Sequence, residues 1–198
     1  MTTAPFAWVH EKTQVEFDGQ ALTINGKQLP LDSIERLSRN LSRSTSQGSW
    51  NRLDCGVSIF ANGNVSTISF RGDASTEQWG PWRPLWDQLD TMVHHEIQPR
   101  LLERTISQVY AGAVTEVGSA SAKGRGRFVV TAENLQARKM FSKPLPWASI
   151  ADITLSRSLY EIITADPDGK QRKHQTGLGA SEWDAWQLPA LWYHFKGL

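Results

Sequence analysis

The pentapeptide Lys123-Gly124-Arg125-Gly126-Arg127 carries the densest chemistry in this chain. Cations alternate with glycines, so guanidinium forks could make charge-assisted hydrogen bonds to an oxyanion while the glycines let the main chain approach it. Lys170, Arg172, Lys173 and His174 follow on a later segment and are expected to add to the same anion-binding patch. A Gly/Arg/Lys loop is also a common way to keep a turn solvated, and the residues alone allow either use. A second basic series comprises Arg36, Arg39, Arg43 and Arg52. On a strand, Arg39 and Arg43 share a face with Leu37 and Leu41, which suggests stems covering apolar surface while the heads stay wet.

Other chemistries find less support. His94-His95-Glu96 falls on a predicted helix, where neighbouring side chains point about 100° apart and cannot hold one ion together; no metal is expected. The single cysteine, Cys55, excludes an internal disulfide, and its place beside Asp54 with no nearby histidine reads as structural. No nucleophile elbow, phosphate-binding glycine loop or H-E-x-x-H motif occurs, so neither an enzyme nor a cofactor is expected. A weaker alternative is an enzyme whose site, formed between two halves of the chain, follows no linear motif. Trp8 and Trp50 lie outside the repeated pattern described below and are candidate partner contacts, because exposed aromatics commonly mark interfaces.

These residues need a scaffold, and composition says the chain can build one. Its 198 residues suit one large domain or two small ones, and nine tryptophans supply far more apolar surface than a disordered chain carries. Residues 1–105 hold 10 Lys/Arg against 12 Asp/Glu, and residues 106–198 hold 11 against 8. That balance argues against a nucleic-acid binder and leaves polyanion binding to a local patch on the second half. The first apolar stretch, Phe6–Val9, is much too short for a secretory signal, and no run approaches the roughly 18–20 apolar residues that cross a bilayer. A soluble, cytoplasmic protein is expected.

Comparing the chain with itself divides it. Lys27-Gln28-Leu29-Pro30-Leu31-Asp32-Ser33-Ile34 aligns without gaps on Lys143-Pro144-Leu145-Pro146-Trp147-Ala148-Ser149-Ile150. Further on, Trp79-Gly80-Pro81-Trp82-Arg83-Pro84-Leu85-Trp86 matches Trp183–Trp192 with two single-residue insertions. Two matches in the same order predict two repeats, residues 1–105 and 106–198.

Within each repeat the pattern is mostly strand. The first opens with a weak strand over Val9–Phe17, and Asn62-Gly63 predicts a tight hairpin between Val57–Phe60 and Val65–Phe70. The second shows β-prone runs at Gln108–Val117, Arg127–Thr131, Leu135–Phe141 and Ile150–Leu155, then a hairpin from Leu159–Thr164 to Lys170–Gln175 across Asp166-Pro167-Asp168-Gly169. The segment after Asp32 has helical spacing at Ile34, Leu37 and Leu41, yet its partner Ile150–Leu159 is β-branched; the repeat decides for strand in both. Each repeat closes with a tryptophan-rich amphipathic helix, over about 73–104 and 181–195, capped in the first at Asp73 or Ser75. Pro84 marks an irregular first turn and Pro99 a break. The fold class expected is α+β, mainly β.

Phe128–Ile150, with a strand, a turn at Glu133-Asn134, a second strand and a Pro-Leu-Pro-Trp-x-x-Ile step, resembles bacterial members of the pleckstrin-homology-like (PH-like) family. The chain looks like two such domains in tandem, each a strongly bent antiparallel half barrel plugged by a C-terminal helix. The resemblance implies a binding module rather than an enzyme, an adaptor for a protein or peptide partner. The long first helix would fix the orientation of the two domains. The alternative it implies is binding of an anionic lipid or phospho-ligand through Lys123, Arg125 and Arg127, an arrangement similar to the K-x-R-x-R of lipid-binding members, with Arg172 and Lys173 in support. Exposed sheet edges offer a route to a homodimer.

Overall fold

The structure is a computed structural model that describes residues 3–46, 49–72, 82–138, 143–166 and 168–197, without the side chains of 42–52. The chain separates into two compact units, Met1–Leu101 and Leu102–Leu198.

Unit 1 opens with an antiparallel meander of β1 (Phe6–His10), β2 (Thr13–Phe17), β3 (Ala21–Ile24) and β4 (Lys27–Pro30). The single opening strand expected over Val9–Phe17 is therefore the hairpin β1–β2, reversed at Glu11, whose φ of 51° is left-handed. Burial alternates along β2, where Val15 and Phe17 turn inward and Glu16 outward. A 3-10 turn, Leu31–Ser33, leads into β5 (Ile34–Ser46), β6 (Ser49–Ala61) and β7 (Asn64–Gly72), a second antiparallel sheet. The segment after Asp32 is thus a strand, as its partner required. The residues there build the 3-10 turn instead, with Ser33 Oγ donating to the Pro30 carbonyl at 2.7 Å. Asn62-Gly63 makes the expected tight hairpin, with positive φ at both residues.

The helix that follows comprises α1 (Arg83–Met92), a π-helical turn (Val93–Ile97) and α2 (Gln98–Tyr110), and the unit boundary falls within α2. The caps expected at Asp73 or Ser75 lie outside the described residues. Pro84 sits in the first turn, where a missing N–H costs little. Pro99 does not break the helix as expected: the widened π turn lies immediately before it, where the ring would otherwise press on the carbonyl four residues back. Trp82, Trp86, Leu89, Met92, Val93 and Ile97 are buried, and Trp82 stacks on Phe70 of β7 at 5.6 Å. Gly72 permits that contact, since a Cβ there would lie 2.6 Å from the indole.

Unit 2 carries the same succession of elements. A four-stranded sheet comprises β8 (Thr115–Val117), β9 (Phe128–Val130), β10 (Asn134–Ala137) and β11 (Leu145–Pro146); a 3-10 turn (Trp147–Ser149) leads to the three-stranded sheet β12 (Ile150–Ser156), β13 (Leu159–Ala165) and β14 (Gln171–Gly179); and α3 (Gln187–Phe195) closes it. Ser149 Oγ donates to the Pro146 carbonyl at 2.7 Å, the same bond that Ser33 makes in unit 1. The sequence match at Lys27–Ile34 and Lys143–Ile150 is therefore a shared local structure.

Three expectations change in unit 2. Gln108–Tyr110 is helix rather than strand, because Val109 extends the buried stripe of α2, and only Thr115–Val117 of the predicted run pairs in a sheet. The last helix starts at Gln187, not Ser181: Asp184 has φ 61°, and the Trp183 backbone bridges Ser119. The β10 strand ends at Ala137, and residues 139–142 lie outside the description. The core gathers Val117, Phe128, Val130, Leu135, Trp147 and Ile150 under α3. The fold is α+β and mainly β, and among the described residues no sheet closes into a barrel.

Candidate functional site

The basic loop joins β8 to β9, and most of its backbone is already engaged. The Gly126 N–H donates to Glu116 Oε2 at 2.7 Å, the Gly124 N–H to the Ser121 carbonyl at 3.0 Å, and the Arg127 N–H to the Gly118 carbonyl at 2.8 Å. The glycines serve packing: a Cβ on Gly126 would lie 2.7 Å from the Val117 carbonyl oxygen, and one on Gly124 2.6 Å from the Ser119 and Ser121 hydroxyls. Arg127 is itself committed, its Nε donating to both carboxylate oxygens of Glu182 at 2.9 and 2.8 Å. Lys123 and Arg125 are exposed and make no ion pair among the described residues.

The supporting cations do not converge on this loop. Arg172 pairs with Asp166 at 3.0 Å and Lys173 with Glu161 at 2.5 Å. Arg127 lies near Gly177 of β14, so Arg172, five residues away along the strand, is displaced by roughly 17 Å. His174 bonds Thr164 at 2.9 Å and lines a pocket of unit 2. Sequence reasoning missed Arg157, which occupies the tight β12–β13 turn with φ 50°, followed by Ser158 with φ 64°. Two consecutive non-glycine residues in this region carry backbone strain. Ser158 O accepts from the Ala180 N–H at 2.9 Å, and Gly118 donates to the Trp183 carbonyl at 2.9 Å. The turn and the basic loop therefore meet the same segment at one end of unit 2. No sequence signal marked Glu116 or Glu182 as partners: Glu116 sits on the strand before the loop and Glu182 lies 55 positions beyond Arg127.

Trp8 is corrected. It is only 9% exposed, packs on Phe70 at 5.5 Å, and cannot be an exposed partner contact. Inward alternation on β1 decided this, and local composition did not reveal it. The Trp50 side chain lies outside the description, as do Arg43 and Arg52. Arg39 pairs with Asp90 of α1, so it ties sheet to helix rather than reaching into water. Cys55 is buried, and desolvation, reinforced by Asp54 and Asp90, pushes its thiol up to about 11; it stays protonated near neutrality, unlike a nucleophile. His94 Nδ1 meets Gln98 Oε1 at 2.9 Å, and among the described residues no three metal-ligating side chains cluster.

Unit 1 has a groove that the sequence did not announce. It encloses about 480 Å³ between the Thr3–Phe6 segment and the helix side chains Asp87, Gln88, Thr91 and His95, and its surface is chiefly apolar. The N-terminal wall is pinned by the Thr3 N–H, which donates to the buried Glu96 carboxylate at 2.7 Å. The π turn brings both functions together, with His95 on the groove and Glu96 on the strap. Beside it β1 is an edge strand of its sheet, paired among the described residues with β2 alone, with Val9 68% exposed. No helix among the described residues is long and apolar enough to cross a membrane.

No protein-family model matches this chain, and no curated protein is significantly similar to it.

Proposed function

We propose that this chain is a non-catalytic, cytoplasmic recognition protein of two PH-like units, and that unit 1 takes an extended peptide segment of a partner protein. A four-stranded meander, a 3-10 turn, a three-stranded sheet and a closing helix, occurring twice, support the PH-like reading. The observation that carries the peptide reading is the apolar groove between Thr3–Phe6 and α1, next to β1, the edge strand of its sheet among the described residues. An edge strand offers main-chain hydrogen bonds at regular spacing, and an adjoining apolar concavity selects the side chains of what pairs there. Random peptides displayed on phage and selected on the full chain should include saturable binders. Thr91→Arg, which places a charge in the groove from an exposed helix position, should weaken them about tenfold or more without changing Tm. Selection of no peptide, or equal binding by Thr91→Arg, sinks the reading.

A second reading has its own observation. Lys123, Arg125 and Arg157 are exposed, make no ion pair among the described residues, and lie on the two connections that meet residues 179–183. That end of unit 2 could hold a phosphate-bearing surface, with Arg127 neutralised by Glu182. Flotation with phosphatidylserine-containing vesicles should then fall steeply with salt and vanish in a Lys123/Arg125/Arg157 triple-alanine variant. Failure to float at low salt overturns it.

A further inference from the structure

The two units differ in how they fill the space between their sheets. Unit 1 lines the inner face of β6 and β7 with Val57, Ile59, Ile68 and Phe70, of which Phe70 and Ile68 are 1% exposed and the others fully buried. In unit 2, β14 turns His174 and Thr176 to the corresponding side, and a pocket of about 310 Å³ opens there. Its walls come from both sheets: Phe128 and Ala137 from the first, Ile162 from the second, with Leu145 of β11 beside them. Phe128 and Ile162 belong to the buried core and floor the pocket, while Lys143 and Gln175 stand exposed at its mouth. Thr176 is satisfied within the unit, its Oγ1 donating to the Tyr160 carbonyl and accepting from the Leu178 N–H. His174 has Thr164 on Nε2, at 2.9 Å. At the rim stands Lys143, exposed and without an ion pair among the described residues.

We infer that this pocket binds a short- to medium-chain aliphatic carboxylate, with the hydrocarbon against Phe128, Ala137, Leu145 and Ile162 and the carboxylate at Lys143 and His174. The volume stands at the lower end of the roughly 300–1,000 Å³ of small-molecule sites, which favours a slim aliphatic chain over a larger ring system. One ammonium and one imidazole on the lining complement a monoanion. A carboxylate placed where apolar walls exclude water on one side gains a charge-assisted hydrogen bond. This site is independent of the peptide reading, which concerns unit 1, and either stands if the other falls.

The test titrates octanoate into the full chain by calorimetry and by NMR of the His174 ring and the Ile162 methyl groups, with octanol as the uncharged control. Saturable octanoate binding that shifts both residues is expected. Lys143→Gln, at an exposed position, should weaken it about tenfold with unchanged Tm, and octanol should bind more weakly by a similar factor. Absence of saturation, shifts confined to residues away from the pocket, or octanoate affinity that is the same in Lys143→Gln each overturns the proposal. Octanol binding as tightly as octanoate overturns it too, because the polar end would then recognise nothing.

Discussion

Replacing Trp147 with Ala is expected to destabilise unit 2 by about 3–5 kcal/mol, the range for truncating a fully buried large aromatic. Trp147 is 2% exposed, stacks on Phe195 of α3 at 5.6 Å, and donates from Nε1 to the Thr131 carbonyl at 2.9 Å. One side chain thus joins the 3-10 turn, the β9–β10 connection and the closing helix. Loss of the indole leaves a cavity under α3 and a carbonyl without its donor. Trp147→Phe separates the two effects, since it keeps most of the ring and should cost only about 1–2 kcal/mol. Urea unfolding of the full chain, with hydrogen exchange read at β9, β12 and α3, reports the outcome. Protection in those strands equal to wild type would show that the indole does not hold them.

Gly126→Ala is expected to cost about 2–3 kcal/mol and to lower the Tm of unit 2 by roughly 10 °C. The added Cβ meets the carbonyl oxygen of Val117 at 2.7 Å and its nitrogen at 2.8 Å. Both are backbone atoms of β8, which cannot turn aside as a side chain would. Gly124→Ala is the control: its Cβ meets two serine hydroxyls at 2.6 Å, groups that can rotate, so its cost should be smaller. The pair separates packing from recognition in the Lys123–Arg127 loop. Had Gly126 been selected to let an anion approach the main chain, its alanine variant would keep its Tm and lose only binding. Calorimetric melting of both variants decides the matter, and an unshifted Gly126→Ala would return the glycines to a ligand role.

Much of the fold was legible because it is written locally and twice. Lys27–Ile34 and Lys143–Ile150 each end a strand, turn through three residues closed by a serine on a proline carbonyl, and start another strand. The first copy alone would have misled, since Asp32-Ser33-Ile34-Glu35 imitates a helix start. The comparison succeeded because β-branched Ile150 and Ile153 leave their copy little helical preference. Asn62-Gly63 was readable for a similar reason, as few residue pairs accept positive φ twice. The helix ends were less legible. Pro99 predicts a break on local sterics, yet a π turn absorbs it, and the buried stripe through Leu101, Thr105 and Val109 carries α2 past the predicted end at Arg104.

The candidate sites divide along the same line. Residue type and spacing alone predicted two like halves, each with strands before a tryptophan-rich helix, and marked Lys123, Arg125 and Arg127 as cations on one loop. Tertiary structure alone decided which of them are spoken for. Arg127 met Glu182, 55 positions away, Lys173 met Glu161 across a strand pair, and Trp8 turned inward onto Phe70, while Lys123 and Arg125 stayed exposed. The physical reason is that periodicity and turn chemistry act over a few residues and can be read in sequence. Neutralisation of a charge, burial of an indole and the opening of a pocket between two sheets depend on which distant residues the packed chain brings within a few ångströms.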